Sequence, residues 1–299
     1  MKRVYLQIAL LTAVFAGSYF ALRAIPGSSC TFLHYDQAQV TADGIQFCGT
    51  GAAPFIDVSR LPFPITVKLA GDRPAAAGEM ANYTLSLETP DGKTLRPSEL
   101  AITHTQKLHL LLIDPSLEDY QHIHPVPEGD SGEWTFAFAP KLPGTYKLFA
   151  EFVPAMTLHE VIGETEITAP GAPAAGVNRG LKPYSDGTYI YDLSAENGGA
   201  IAGVDATLDF TVRRKDGGEV KLEPVMGALA HLAAFDQERN GYAHLHPAAT
   251  VSAQEGNPRA PELSFAFNTG TPGRYRVWAQ VQLDGQQRFV PFDLEVAAR

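Results

Sequence analysis

Residues 108–125 read LHLLLIDPSLEDYQHIHP, and residues 230–247 read AHLAAFDQERNGYAHLHP. The two stretches align without a gap at an offset of 122 residues. In each, an apolar run and a run ending in His-x-His-Pro flank a short polar segment, which predicts two strands joined as a hairpin. The recurrence of this hairpin indicates that the chain carries two copies of one unit.

Two further blocks repeat on either side of the hairpin. The block from Ala77 to Gly92 recurs at an offset of 125, and LPGTYKLFAEF from Leu142 recurs as TPGRYRVWAQV at an offset of 129. Apolar residues alternate with polar ones and are followed by Asp-Gly, which is typical of short strands and turns. The sequence therefore predicts an all-β chain of two tandem immunoglobulin-like β-sandwiches. A cupredoxin-like barrel is the alternative, because it also has Greek-key strands and histidine ligands.

The predicted domain order begins with a signal anchor. Lys2 and Arg3 precede an uncharged apolar stretch over 4–22, which favours an uncleaved transmembrane helix over a cleaved signal peptide. We expect the bulk of the chain to lie outside the cytoplasm, in the periplasm or at the cell surface. The predicted parts are the anchor (1–24), a cysteine-bracketed segment (25–60), repeat 1 (61–168), a Pro/Gly/Ala-rich linker (169–183) and repeat 2 (184–299).

Charge and cysteine content narrow the function classes. The 299 residues carry a formal net charge of −10 with no basic run, so we expect no nucleic-acid partner. Two cysteines are too few for a disulfide scaffold or a four-cysteine zinc site. Cys30 and Cys48 bracket a loop in a part of the chain expected outside the cytoplasm, where thiols oxidise. We predict a disulfide between them.

Histidines supply the chemical pattern. Seven of the nine fall in two windows, and each copy shows His-x12-His-x-His-Pro. In the predicted hairpin of copy one, the first histidine lies opposite the third, and the second lies opposite Leu111. All three imidazoles then project from one side of the strand pair and can converge on one ion. The predicted ligands are His109, His122 and His124 in copy one and His231, His244 and His246 in copy two, with His104 and Met226 at equivalent positions five residues earlier.

These ligand types favour copper, with zinc as the alternative. Imidazole suits both metals, and the thioether of Met226 favours Cu(I), whereas His104 makes the first site harder. The predicted function is metal sequestration, tolerance or delivery, with a metal-handling membrane protein as partner and without catalysis. The competing interpretation is a structural or interaction module of a membrane complex whose histidines hold loops. A metallohydrolase is a distant third, since no motif places a carboxylate base beside the histidines.

The second copy resembles a bacterial extracytoplasmic domain that is mostly uncharacterised and described as heavy-metal-associated. The shared pattern is Met-Gly-Ala at 226–228, His231, His-x-His-Pro at 244–247 and Pro-Gly-x-Tyr at 272–275. Copy one is similar but has His104-Thr105-Gln106 in place of Met-Gly-Ala. The resemblance covers roughly 62–168 and 184–297. It implies a secreted or membrane-anchored β-sandwich present in two tandem copies.

Overall fold

The computed structural model describes residues 2–24, 38–41, 44–47, 53–60, 63–71, 75–247 and 257–299. The chain divides into two compact units, Met1–His34 and Tyr35–Arg299. Cys30 and Cys48 lie outside the described residues, so the disulfide stays a prediction.

The first unit contains one helix, α1, over Lys2–Ala24. This helix coincides with the predicted signal anchor. Within the described residues, however, no helix combines the length and the apolarity needed to cross a membrane. The predicted transmembrane span is therefore not supported by the structure.

The second unit is built of strands. In chain order they are β1 (Ala38–Thr41), β2 (Gly44–Phe47), β3 (Ala53–Pro54), β4 (Ile56–Asp57), β5 (Thr66–Gly71), β6 (Ala81–Glu88), β7 (Leu100–Thr103), β8 (His109–Ile113), β9 (Tyr120–Ile123), β10 (Val126–Pro127), β11 (Glu133–Phe138), β12 (Gly144–Pro154), β13 (Val161–Ala169), β14 (Tyr184–Ser185), β15 (Tyr189–Ala195), β16 (Ala200–Ile201), β17 (Ala206–Arg214), β18 (Ala230–Asp236), β19 (Gly241–Leu245), β20 (Glu262–Asn268), β21 (Gly273–Leu283) and β22 (Gln286–Ala297). Short 3-10 helices cover Pro97–Glu99 and Glu196–Gly198.

The two repeats have the same sheet topology. In repeat 1, one sheet has the order β1-β2-β7-β12-β8-β9 with β13 also paired to β12, and the other has the order β10-β11-β6-β5. In repeat 2, the sheets are β16-β22-β21-β18-β19-β4 and β14-β15-β17-β20-β3. Thus β13-β12-β8-β9 matches β22-β21-β18-β19, and β5-β6-β11 matches β15-β17-β20. A four-stranded sheet on a three-stranded sheet is the immunoglobulin-like sandwich that the sequence predicts.

Each sandwich has its own core, and a third apolar cluster joins the two repeats. The core of repeat 1 includes Leu85, Trp134 and Leu148, and that of repeat 2 includes Phe210 and Phe265. The third cluster combines residues of both repeats: Leu111, Ile113, Tyr120 and Phe149 with Ala233, Phe235, Tyr242 and Trp278. Every residue of β8 is buried as a result. The sheet faces that carry the histidines therefore pack against each other.

Hydrogen bonds between the repeats also involve both hairpin turns. Arg276 of repeat 2 is 1 % exposed and donates to the carbonyl of Leu117 at 2.9 Å in the hairpin turn of repeat 1. Arg239, in the hairpin turn of repeat 2, donates to the carbonyl of Thr145 at 2.8 Å. Leu117 and Arg239 are equivalent positions and share positive φ values of 64° and 57°. Each hairpin turn thus contacts the opposite repeat, as in a two-fold interface.

The segment before repeat 1 pairs with both sandwiches. Strand β2 runs parallel to β7 of repeat 1, with Gln46 beside Ile102. Strand β4 runs antiparallel to β19 of repeat 2, with Asp57 beside Gly241. A Cβ atom on Gly241 would lie 1.8 Å from the carbonyl oxygen of Ile56, so only glycine permits this approach.

Candidate metal centre

The hairpins have the register that the histidine spacing predicts. In repeat 1, Leu111 lies beside His122 across β8 and β9. In repeat 2, Ala233 lies beside His244 across β18 and β19. This register places the first and third histidines of each copy opposite one another. The turn of repeat 1 is fixed by Asp114, whose carboxylate accepts the backbone N–H groups of Ser116 and Asp119 at 2.8 Å each.

The ring nitrogens converge in both copies. The ligand atoms of His109, His122 and His124 all lie within 4.8 Å of one another, and so do those of His231, His244 and His246. We call these sets triad 1 and triad 2. The metal-site geometry predicted from the sequence is therefore present in each repeat, with three imidazoles on one face.

Hydrogen bonds fix which nitrogen of triad 1 is free. The Nε2–H of His109 donates to the carbonyl of Thr103 at 2.9 Å, which leaves a lone pair on its Nδ1. The Nδ1–H of His122 donates to Oε1 of Gln280 at 3.1 Å, which leaves a lone pair on its Nε2. These two lone-pair nitrogens face each other at 3.2 Å. The Nε2 of His124 is buried without a hydrogen-bond partner.

Triad 2 repeats this pattern atom for atom. The Nε2–H of His231 donates to the carbonyl of Val225 at 2.9 Å, and its Nδ1 is buried without a partner. The Nδ1–H of His244 donates to Oε2 of Glu151 at 3.2 Å, and its Nε2 is buried without a partner. The Nε2 of His246 is also unpartnered. Each triad thus offers one Nδ1 and two Nε2 atoms.

Unpartnered buried nitrogens and opposed lone pairs are costly unless a cation neutralises them. A proton is disfavoured in this role, because burial lowers the pKa of His109. Burial, followed by the charge of His244 and His109, also lowers the pKa of His122 well below its usual value, and that of His124 to about 4. Burial lowers the pKa values of His231 and His246 well below the ordinary value as well. Neutral imidazoles are the form that binds a transition metal.

The two triads lie side by side across the interface between the repeats. The ring centroids of His122 and His244 are 5.1 Å apart, and those of His109 and His244 are 6.0 Å apart. The sequence predicts one site per repeat, and the structure brings both sites into a single histidine cluster. Repeat-to-repeat contact is therefore part of the site.

His104 and Met226 occupy equivalent turn tips. Both have left-handed backbones, with φ values of 49° and 50°. The sequence analysis assigned His104 to the site of its own repeat. The structure stacks its ring on His246 of the other repeat, with centroids 3.7 Å apart and planes at 21°, and the ring of His109 in its own repeat lies 6.1 Å away. Burial, followed by the charges of His244 and His109, lowers the pKa of His104 to about 3. Met226 is half-buried at its tip.

Glu151 and Gln280 are site residues that the sequence reasoning missed. Glu151 is 5 % exposed and accepts the hydroxyl of Tyr242 at 2.7 Å as well as the Nδ1–H of His244. Burial acts to raise the pKa of Glu151, but His244, His109 and the Tyr242 hydroxyl together hold it well below its usual value. A signal was present, since LFAEF and VWAQV place one polar residue within an apolar strand at the offset of 129.

Together these features define a tandem β-sandwich protein with two buried histidine triads where its repeats meet. The chain belongs to a family described as a domain of unknown function, DUF8832, whose model matches residues 64–168 and 184–298. This match confirms the two tandem copies of the predicted resemblance. It gives no support to a heavy-metal association. No curated protein matches the chain.

The solved structures that the chain matches are distant in sequence and have low TM-scores. Invasin, a bacterial integrin-binding protein, is 13% identical with a TM-score of 0.22 over 77% of this chain and 39% of its own. A putative membrane anchored protein from Corynebacterium diphtheriae is 10% identical with a TM-score of 0.23 over 78% of this chain and 59% of its own. Domains 4 and 5 of the S-layer protein SbsC are 13% identical with a TM-score of 0.23 over 77% of this chain and 99% of that one. The chain spans less than two thirds of the first two structures.

Proposed function

We propose that this protein binds copper at two histidine triads between its repeats and acts outside the cytoplasm in metal sequestration, tolerance or delivery. The observation that carries the proposal is the set of buried nitrogens without partners: Nε2 of His124, Nδ1 of His231, Nε2 of His244 and Nε2 of His246. Imidazole nitrogen suits copper and zinc, and in a given nitrogen site Cu²⁺ binds more tightly than Zn²⁺. The proposed role is binding without catalysis.

The proposal is supported by the way each ring is oriented. In metal sites the second ring nitrogen of a histidine ligand donates to a carbonyl, amide or carboxylate oxygen, which fixes the tautomer. His109 and His231 donate to backbone carbonyls, and His122 and His244 donate to side-chain oxygens. Delivery would require a partner that takes the ion, for which a metal-handling membrane protein is the proposed class.

Titration of the full chain with Cu(I), Cu(II) and Zn(II) tests the proposal. We expect two ions per chain, with Cu(II) bound more tightly than Zn(II). The variant with alanine at His122, His124, His244 and His246 should lose this binding. His159→Ala is the matched control, because His159 belongs to neither triad. Equal binding by the native chain and the fourfold variant would rule the proposal out.

A second candidate function is a structural module without metal. It is favoured by the apolar cluster that joins the repeats around the triads and by the hydrogen bonds from His109 and His231 to turn carbonyls. In that case the fourfold variant should lose stability to the same extent with and without metal ions. A metal-dependent difference in its stability loss favours the first candidate.

A further inference from the structure

The second histidine of each triad donates to a residue of the opposite repeat, and we call this acceptor the outer residue of the triad. His122 of repeat 1 donates to Gln280 of repeat 2, and His244 of repeat 2 donates to Glu151 of repeat 1. Glu151 lies on β12 beside His109, and Gln280 lies on β21 beside His231. The two positions are equivalent by the offset of 129. The exchange is therefore reciprocal, but one partner is a carboxylate and the other is an amide.

Each outer oxygen is held in place by a further residue. The Nε2 of Gln280 donates to Oε1 of Gln287 at 3.0 Å, so its Oε1 is directed to His122. Glu151 receives the Tyr242 hydroxyl at 2.7 Å in addition to the His244 ring. Both outer residues are almost fully buried, with exposures of 5 % for Glu151 and 2 % for Gln280. Burial makes the difference between a charged and a neutral acceptor large.

A carboxylate that accepts the N–H of a ligating imidazole raises the basicity of that ligand and attracts the bound cation. An amide oxygen fixes the same tautomer but adds no charge. Glu151 also lies beside His109 in the sheet, so its charge reaches triad 1 through space, but its hydrogen bond is to triad 2. Triad 2 thus has three imidazoles and a directly bonded carboxylate, whereas triad 1 has three imidazoles and an amide.

We propose that the two sites are unequal, with triad 2 the tighter site for a divalent cation, and that Glu151 and Gln280 set this order from across the interface. This inference rests on the proposed function, namely that the triads bind metal. It assigns Glu151 and Gln280 as positioning residues that act through His244 and His122. It also means that neither site is complete within its own repeat.

Two single-site forms of the full chain separate the sites. His124→Ala disables triad 1 and reports triad 2, while His246→Ala disables triad 2 and reports triad 1. These are matched substitutions, because each removes the third ligand of its copy and leaves both outer contacts intact. Zn(II) is the probe, since it has no redox chemistry. Calorimetry with a competing chelator gives each affinity, and we expect tighter binding in His124→Ala.

The outer residues are then exchanged by isosteric substitutions. Glu151→Gln in the His124→Ala background should weaken zinc binding by about 10–100-fold. Gln280→Glu in the His246→Ala background should strengthen it. Fluorescence of Trp278, which lies in the interface cluster, and thermal melts check that each protein folds. If Glu151→Gln does not fold, the Gln280→Glu measurement decides alone.

The outcomes test metal binding by the triads separately from the inequality of the two sites. If neither single-site form nor the native chain binds Zn(II) or copper, the proposed function is wrong. If both forms bind Zn(II) with equal affinity, or if the exchanges shift neither affinity beyond about twofold in folded protein, the inequality is wrong and metal binding stands. A tighter triad 2 that weakens with Glu151→Gln supports both.

Discussion

Triad 1 and triad 2 are alike in their ligands and differ in what lies behind them. Both use the first histidine through Nδ1 and the next two through Nε2, and both first histidines donate to a turn carbonyl. Behind the second histidine, triad 1 has an amide and triad 2 a carboxylate. Local hairpin register therefore determines the ligand set, whereas the contact between repeats determines the electrostatics of each site.

The two repeats meet in one packed interface, so the duplicated units are not separate modules. The apolar residues that share a face with the triads, such as Leu111 and Phe235, pack against the opposite repeat. Separating the repeats would expose this cluster and remove the acceptors of His122 and His244. We therefore expect metal binding and docking of the repeats to be linked.

Acidification should have the largest effect and should act on both triads of the metal-free protein. The folded-state pKa is lowered in five triad histidines, to about 4 in His124, and to about 3 in the neighbouring His104; the other four are His109, His122, His231 and His246. Above about pH 6.5 both states are neutral, so no stability is lost. Below it the unfolded chain binds more protons, and each such histidine removes about 1.4 kcal/mol of stability per pH unit until its folded pKa is reached.

Urea unfolding at pH 7.5, 6.5, 5.5 and 4.8 measures this loss, in a range where most carboxyl groups stay ionised. His124→Leu and His246→Leu should each reduce the slope by about one histidine's share. A reduction of the slope in only one of the two variants would show that the two histidines do not contribute equally. Stability that is constant from pH 7.5 to 4.8 contradicts the prediction.

Removal of the second histidine should cost more stability in triad 2 than in triad 1. His244→Leu leaves Glu151 as a buried carboxylate that retains the Tyr242 hydroxyl but no imidazole. A buried carboxylate that loses a hydrogen-bond donor typically costs more than the about 1–3 kcal/mol of a neutral group. The matched variant His122→Leu leaves a neutral amide, for which about 1–3 kcal/mol is expected. Chemical denaturation at pH 7.5 with a chelator present measures both, and equal losses would contradict the role of the charge.

The sequence predicts the part of this structure that depends on local pattern. Alternation and turn residues predict the strands of both sandwiches, and the spacing from His109 to His124 predicts the hairpin register that the structure has. Tyr120 and Tyr242 occupy equivalent positions of the two hairpins, and both lie in the interface cluster. These features need only neighbours along the chain or across one turn.

The sequence alone does not predict the features that depend on contact between the two repeats. His104 is close to triad 1 in sequence but stacks on His246, because its turn tip crosses the interface. The sequence shows Glu151 as one polar residue within an apolar strand, but its partners Tyr242 and His244 come from the other repeat. The predicted membrane span depended on an apolar count, and among the described residues the structure has no helix that meets the requirements of a span. The spacing of residues within one repeat does not predict which face of its sandwich packs against the other repeat.

Zinc should stabilise the native chain, and the gain should divide unequally between the triads. At a free ion concentration of 100 times its dissociation constant, one site adds about 2.7 kcal/mol. At one fixed Zn(II) concentration, His246→Ala should therefore lose more of the gain than His124→Ala. Thermal melts with Zn(II) and then with excess chelator measure this gain and its reversal. The double variant should gain little, and an equal loss in both single variants would remove the ranking of the sites.

The turn tips should give the smallest effect and decide what His104 does. If its ring only packs on His246, His104→Ala should cost about 0.5–1.5 kcal/mol of stability, as ring contacts do, and leave two zinc ions bound per chain. If His104 is a ligand of triad 2, the same variant should weaken zinc binding in the His124→Ala background far more than in the His246→Ala background. Met226→Ala is the matched control at the equivalent tip. With Cu(I) as the probe, Met226→Ala should weaken binding only if the thioether ligates the ion. If neither tip variant changes metal affinity, the difference between the sites lies in Glu151 and Gln280 alone.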